Sequence, residues 1–396
     1  MRYVLKFGGS SLSTPSKIKS VANFIANIKS RKETELVVVV SAMGKTTNKL
    51  TTLCNSVSDH PNEYTLASTL SKGEEISANL LSLALDNLKI KNKVLLSKDV
   101  AIYVAGHSNN AIITHIDTKN IENLLQNDNI VIIPGFQGVD DNNNICTLGR
   151  GGSDTTACAL ASVLNCAVKI YTDVPGFFNY NPHLFANAKK LETLDILSSI
   201  ELASCGAKIM DQTSLEIASA NDTPLKVCES QTNNGTNVYK HEILSFKIFG
   251  VSFKNNLLFV KYHGINPDNL QMQIKNNEFK ILCSNIQKIN NHFENIIISD
   301  IPYSLINIKN NKLISSLRCE LINISGAGLL SNERFNNFLQ DIKIKYQKEI
   351  LYINSTPTTI KIATKAKKSF EITEYINKNL NMENYLWKYQ ETIQHL

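Results

Sequence analysis

Tyr3-Val4-Leu5-Lys6-Phe7-Gly8-Gly9-Ser10-Ser11 places a short, largely apolar run directly before a glycine pair. Such a run reads as a buried parallel strand, and paired glycines at its end let the backbone approach a ligand closely. The pattern recurs along the first 240 residues. Leu36–Ser41, Val94–Leu96, Ile130–Pro134, Val168–Thr172 and Leu225–Cys228 are further strand candidates. Helical patterns lie between them at about 15–30, 46–58, 64–88, 117–126, 153–164, 191–204 and 211–220, several opened by Ser, Thr or Asp. Strands alternating with helices indicate an α/β domain whose mainly parallel central sheet is covered on both faces. Asp140-Asp141-Asn142-Asn143-Asn144 fits a hairpin tip.

The texture changes after the polar stretch Gln231-Thr232-Asn233-Asn234-Gly235, and a boundary is expected at about 240–246. The expected domains are 1–242 and 243–396. Beyond the boundary, Leu317–Ser325 reads as a strand running into Gly326-Ala327-Gly328, followed by a helix with Phe335, Phe338, Leu339 and Ile342 on one face. That is a small ββα-type arrangement, and two weakly similar modules would fill the C-terminal region.

A length of 396 residues exceeds a typical single domain, and 43% hydrophobic with 19% charged residues excludes a disordered chain. The longest aliphatic run, Leu36–Val40, is far short of the roughly 20 residues a membrane helix needs. Lys6 and the glycine pair interrupt any signal-peptide core, so a cytoplasmic protein without a membrane partner is expected. Eight cysteines without a CxxC pair and eight histidines without HExxH spacing predict reduced thiols and no protein-held metal. Lys+Arg and Asp+Glu balance at 22 each through residue 240 and stand at 19 against 13 after it. Those C-terminal lysines are dispersed among Asn and Ile, so no nucleic-acid partner is expected.

Four glycine-containing clusters sit where a strand hands over to a loop or helix, the place where α/β sheets hold ligands. In the first, Lys6 stands beside Gly8-Gly9 and Ser10, suiting an anion; a tight turn with a solvated lysine is the plain structural alternative. The second, Ser41-Ala42-Met43-Gly44-Lys45-Thr46-Thr47-Asn48, is not a P-loop because Val39 stands where that pattern needs glycine. Ser41 and Thr47 are candidate donors to a small anion, or Thr46 or Thr47 simply caps the helix. The third, Gly149-Arg150-Gly151-Gly152-Ser153-Asp154, sets a bidentate guanidinium among backbone donors, with an acid at the head of a helix, and fits an amino-acid substrate. The fourth is Tyr171-Thr172-Asp173-Val174-Pro175-Gly176-Phe177-Phe178, whose aromatics suit a nucleotide base. Gly206-Ala207-Lys208 offers a lysine for a phosphate, and Gly73-Glu74 an acid for a substrate ammonium, unless both are ordinary surface positions.

Taken together, KFGGSS at 6–11, SAMGKTTN at 41–48, GE at 73–74, LGRGGSDTTA at 148–157, YTDVPG at 171–176 and GAK at 206–208 resemble the aspartokinases, within the amino-acid kinase superfamily. The resemblance implies a three-layer αβα sandwich of the amino-acid-kinase type over about 1–240. IFGVSFKNN at 248–256 and INISGAG at 322–328 resemble, more weakly, the openings of paired ACT regulatory modules, which are α+β and ferredoxin-like.

The resemblance further implies transfer of the ATP γ-phosphoryl group to the β-carboxylate of L-aspartate, the first step toward lysine, threonine and methionine. Lys6 and the Gly8 and Gly9 amides, with Ser10, would hold the phosphates, Lys208 would assist, and Asp154 would organise the lysines or the waters of the Mg²⁺ carried with the nucleotide. Arg150 would clamp a substrate carboxylate, with Ser41, Thr47, Glu74 and Ser153 completing the pocket. Thr172, Asp173 and Phe178 would border the nucleotide. Many aspartokinases have a tyrosine and then a DPR tripeptide in this stretch, and here those positions hold Phe178, Asn181 and His183, so a weaker phosphate contact is expected. Around Gly264-Ile265-Asn266-Pro267-Asp268-Asn269 the chain departs from the ACT pattern. The expectation is a C-terminal region that still forms a homodimer while feedback by lysine or threonine is weakened or absent. Two rivals are a sibling kinase for another acidic amino acid and a catalytically degenerate amino-acid sensor. The LGRGGSD context argues against the first, and retention of Lys6, Arg150, Asp154 and Lys208 against the second.

Overall fold

The computed structural model describes residues 1–31, 33–100, 102–204, 209–240, 247–263, 281–289, 292–300, 312–356 and 358–380. These divide into two compact units. The first comprises Met1–Phe177, Lys190–Ile200 and, among its described residues, 209–240; the second comprises Phe178–Lys189, 201–204 and the described residues from 247 onward. The division is therefore not one cut in the sequence: a short excursion, Phe178–Lys189, leaves the first unit and returns. The expected boundary at 242/243, Cys205, Lys208 and the stretch Gly264–Asn269 lie outside the described residues.

The first unit begins β1 (Arg2–Phe7), α1 (Pro15–Lys29), β2 (Glu35–Val40), α2 (Thr46–Val57), α3 (Glu63–Asn87), β3 (Asn92–Val94) and α4 (Ser97–Val100). It continues β4 (Ile102–Ala105), β5 (Ile112–Ile116), α5 (Lys119–Gln126), β6 (Ile130–Pro134), β7 (Gln137–Val139), β8 (Ile145–Thr147), α6 (Gly152–Val163) and β9 (Ala167–Thr172). After the excursion come β10 (Thr193–Asp195), α7 (Ile196–Ser204), α8 (Gln212–Ala220), β11 (Leu225–Glu229) and β12 (Gly235–Tyr239), the last turn of α7 counting with the second unit.

The main sheet has the order β10-β12-β11-β9-β1-β2-β6-β3 and is parallel except for the β11–β12 pair. Residues Leu36 to Val40 of β2 are all 0% exposed, as a strand covered on both faces requires. Alternation along β1 sends Leu5 and Phe7 into a core with Ile18, Val21 and Ile25 of α1 and Leu81 and Leu85 of α3. The opposite face is covered by α6, where the buried small residues Ala157, Cys158 and Ala161 permit close approach. Helix α1 forms where Thr14 accepts from the Lys17 amide at 3.3 Å and Pro15 takes the first helical position.

From β1 the chain crosses to β2 on one side, while from β9, the other neighbour of β1, it moves the opposite way to β11. The β1/β9 boundary is thus the topological switch point, and the carboxyl ends of strands at such a point are where α/β sheets hold ligands. A smaller sheet, β5-β4-β7-β8, includes the hairpin at 140–144, closed by Asp140 accepting from the Asn142 and Asn144 amides at 2.9 and 2.8 Å.

Three local expectations shift. Strand β3 is Asn92–Val94 rather than 94–96, and Thr193–Asp195 forms the edge strand β10 where a helix from 191 is expected. The polar stretch at 231–235 is a tight turn, with Gln231 at φ 61, that returns the chain as β12 antiparallel to β11.

The second unit consists of β13 (Lys247–His263), β14 (Ile281–Ile289), β15 (His292–Ser299), β16 (Lys312–Ala327), α9 (Glu333–Lys345), β17 (Ile350–Ser355), β18 (Thr359–Lys365) and α10 (Ser369–Asn379). Its sheet, β14-β15-β13-β16-β18-β17, is antiparallel throughout. Asn332 caps α9 by accepting from Phe335 N at 2.9 Å. Phe335, Phe338, Leu339 and Ile342 then pack on Ile322, Ile324, Ile360 and Ile362, as the helical spacing predicts. Tyr180 and Phe185 of the excursion join this core. Asn179 fixes the excursion by accepting from Val251 N at 2.8 Å, and Gly250 is required there because a Cβ would lie 2.8 Å from the Asn179 carbonyl oxygen. The αβα unit followed by an antiparallel α+β unit is the architecture expected from the sequence.

Candidate active site

Lys6 is the last inward residue of β1 on the α6 face, 7% exposed, with Nζ 2.5 Å from Asp154 Oδ1 in the first turn of α6. Asp154 is 9% exposed, and its Oδ1 meets the amine as a charge without the alignment of a hydrogen bond. Just beyond β1, Gly8 N donates to the Tyr171 carbonyl at 3.2 Å, tying the first loop across the switch point to β9. A Cβ on Gly8 would lie 3.7 Å from Lys6 Nζ, so the absent side chain leaves open space beside the amine. Gly9 is needed for a different reason: its Cβ would lie 2.7 Å from the Ala42 carbonyl oxygen. Gly44 N donates back to Gly9 O at 2.9 Å, so the first two loops interlock. Ser10 is exposed, and its carbonyl accepts Lys17 Nζ at 2.9 Å.

Ser41 follows β2 and donates its amide to Phe7 O at 3.1 Å. Beside it, the Ala42 amide donates to Glu74 Oε1 at 3.1 Å. Gly73 permits this approach, since a Cβ there would meet Ala42 Cβ at 2.8 Å. The solvated-face alternative for Glu74 fails: the residue is 3% exposed, and Oε2 is buried with no partner among the described residues. Burial pushes its carboxyl up to about 7, with the Ala42 amide pulling the other way. Thr47 lies in the first turn of α2, where the neighbouring Thr46 hydroxyl donates to Met43 O at 2.7 Å.

Gly149 and Gly151 adopt left-handed φ of 70° and 74°, and a side chain at Gly151 would overlap Asp211. This tight path delivers the chain into α6 with Ser153 and Asp154 buried in its first turn, where backbone amides favour an anion. Arg150 is exposed and makes no ion pair among the described residues. Ser153 lies against Gly135, whose Cβ would come within 2.8 Å of Ser153 Cβ. Next to Gly135 in the chain, and against Gly152, stands Phe136, which the sequence reading misses. It is held at φ 73 by its amide donating to Thr156 Oγ1 at 3.1 Å and its carbonyl accepting Leu148 N at 2.8 Å. Left-handed φ on a bulky residue next to such a cluster marks stored strain. The only sequence signal is Pro134-Gly135 at the end of β6.

In the fourth cluster, the Thr172 hydroxyl donates to Asp173 Oδ1 at 3.1 Å, and the Thr172 carbonyl accepts Ser230 N at 2.8 Å. Phe178 and His183 belong to the second unit, where His183 is exposed and its amide donates to Asn181 Oδ1 at 3.0 Å. Lys6, Gly8, Gly9 and Asp154 are thus brought together directly, Ser41 and Glu74 meet through Ala42, and Ser153 joins α6 to the end of β6. Among the described residues, no three His, Cys, Asp or Glu side chains cluster as a metal would need, and no helix is long and apolar enough to cross a membrane.

Residues 1–229 match the amino acid kinase family. The chain is 35% identical over 313 residues to an aspartokinase of Rickettsia felis, covering 73% of this chain and 77% of that one. It is 37% identical over 266 residues to an aspartokinase of Geobacillus stearothermophilus, a match covering 66% of this chain and 65% of that one. In fold it is similar to E. coli aspartokinase III in complex with aspartate and ADP, with a TM-score of 0.81 at 17% identity over 96% of this chain and 100% of that one.

Proposed function

The chain belongs to the aspartokinases of the amino acid kinase family, and from that premise we propose that it transfers the γ-phosphoryl group of ATP to the β-carboxylate of L-aspartate, giving 4-phospho-L-aspartate. The observation that carries the reading is the buried Lys6–Asp154 pair beside the open Gly8 position, at the carboxyl end of the central strand. A carboxylate acceptor with a reference pKa near 3.9 is already ionised at neutral pH, so the reaction needs no general base. It needs relief of repulsion between two anions, about 5 kcal/mol for unit charges at ~3 Å and an effective dielectric of ~20.

Lys6 and the Gly9 amide supply that relief at the phosphates, with Ser10 and Lys208 assisting; the Gly8 amide is taken by Tyr171 O, so Gly8 serves by leaving room beside the amine. Asp154 orients Lys6 and would hold the waters of the Mg²⁺ carried with the nucleotide. The donor set suits this ligand: a buried amine beside a space that a Cβ would fill. Arg150, exposed and without an ion pair among the described residues, clamps a carboxylate of aspartate. Ser41, Thr47 and Ser153 line the acceptor pocket, and the partnerless oxygen of Glu74 receives the α-ammonium. Thr172 and Asp173 border the nucleotide, with Phe178 and His183 as the remaining candidates. The second unit is proposed to mediate a homodimer with weakened response to lysine or threonine, and the protein to work in the cytoplasm.

The purified chain, MgATP and hydroxylamine should yield a hydroxamate with L-aspartate and none with L-glutamate. Product with glutamate would indicate a sibling kinase, and none with either would remove the activity.

A further inference from the structure

The Thr236 hydroxyl, 0% exposed on β12, serves as acceptor and donor at once. It accepts the Phe177 amide at 2.8 Å and donates to the Leu191 carbonyl at 2.6 Å. The Leu191 amide closes the circuit by donating to Phe177 O at 2.8 Å. One hydroxyl therefore ties together the two points between which the Phe178–Lys189 excursion departs and returns. Gly176, at φ 112, is fitted to the same contact: a side chain there would overlap Thr236 Oγ1 and lie 2.8 Å from the Thr236 amide nitrogen. At the other end of the loop, Thr172 O accepts Ser230 N. Residues 172–177 are thus anchored at both ends on the β11–β12 hairpin.

We propose that Thr236 is a positioning residue for nucleotide binding, its hydroxyl fixing the 172–177 loop so that Thr172 and Asp173 present their polar groups to the nucleotide. The inference rests on the reading above that this loop borders the nucleotide. Without the hydroxyl, the buried Phe177 amide loses this acceptor, and the loop relieves the loss by leaving the hairpin. The groups assigned to aspartate sit on α2, α3 and α6 and in the loops that follow β2 and precede α6, none of which is held by this contact, so the effect falls on one substrate.

The test uses the full-length chain with Thr236→Val, which keeps the shape and removes the hydroxyl, and Thr236→Ser, which keeps the hydroxyl. Thr236→Val should raise the ATP KM by about ten-fold or more while the aspartate KM stays within about two-fold, and Thr236→Ser should return the ATP KM to near wild type. If Thr236→Val does not fold, Thr236→Ala reads the same split. Equal movement of both KM values, no movement, or failure of serine to rescue would overturn the proposal. Titration calorimetry with MgADP separates it from the aspartate reading. Weaker ADP binding by the valine variant supports the proposal even if the wild type turns over no aspartate, whereas no ADP binding by the wild type overturns it.

Discussion

Glu74 Oε1 accepts the Ala42 amide at 3.1 Å while its other oxygen stays buried and unpaired. Burial raises the carboxyl to about 7 in the folded chain, against about 4.3 for an ordinary glutamate. Between those values the folded state holds a proton that the unfolded state has released. The associated stability is therefore full below the unfolded value and is lost as pH rises through about 7. Glu74→Gln keeps an acceptor for Ala42 and removes the titration. Urea denaturation from pH 4 to 8 should show the wild type losing on the order of 3 kcal/mol relative to the variant. Parallel curves would refute the assignment. The variant should also raise the aspartate KM, since it cannot pair with the α-ammonium.

Removing Lys6 separates two effects of the Lys6–Asp154 pair. Lys6→Met should lower kcat by about a hundred-fold or more. It should also destabilise the fold by about 3 kcal/mol, because Asp154 is left buried without its cation. Adding Asp154→Asn should recover stability and leave activity low. Melting curves and hydroxamate rates on the same samples check both; near-normal turnover in Lys6→Met would remove the phosphate role.

Gly8 and Gly9 should respond oppositely to alanine. At Gly8 the new methyl meets ordinary contacts of 3.6 and 3.7 Å, so Gly8→Ala should fold normally and bind ATP more weakly. At Gly9 it would sit 2.7 Å from a backbone oxygen, and overpacking of this kind costs about 1–3 kcal/mol. Denaturation midpoints beside ATP KM values would show whether the two glycines divide their duties in this way.

Arg150 is exposed and unpaired among the described residues, so Arg150→Ala should change stability by no more than about 0.5 kcal/mol. Its cost should appear in the aspartate KM, and Arg150→Lys should only partly restore it because the planar fork is lost. A changed ATP KM with aspartate unaffected would move Arg150 to the nucleotide side.

Strands β1, β2, β6, β9 and β11 are legible in the sequence because burial on both faces demands largely apolar runs, and α1 because Thr14-Pro15 announces its start. The edge strand β10 and its neighbour β12 are not, since the three residues of β10 carry no periodicity and Asn233-Asn234-Gly235 before β12 reads equally as hairpin or linker. The glycine clusters reveal where ligands approach, but Glu74 lies on a helix whose spacing cannot show that a loop from β2 covers it. Phe136 gains its left-handed φ from a hydroxyl twenty residues later, a partner no local pattern names. The excursion is hidden for the same reason: Tyr180 and Phe185 are ordinary aromatics until β16, β18 and α10 supply their core.

That dependence acts during synthesis. The ribosome releases Tyr180 and Phe185 long before Ile360, Ile362 and Leu380, which complete their surroundings. At about 5–20 residues per second the delay from residue 180 to residue 380 is about 10–40 s. Over that interval a nascent chain whose first sheet has closed still displays two unsheltered rings, an opening for chaperones and for self-association. Chymotrypsin should accordingly cut stalled chains of residues 1–240 within 178–189 and spare that stretch in the finished protein.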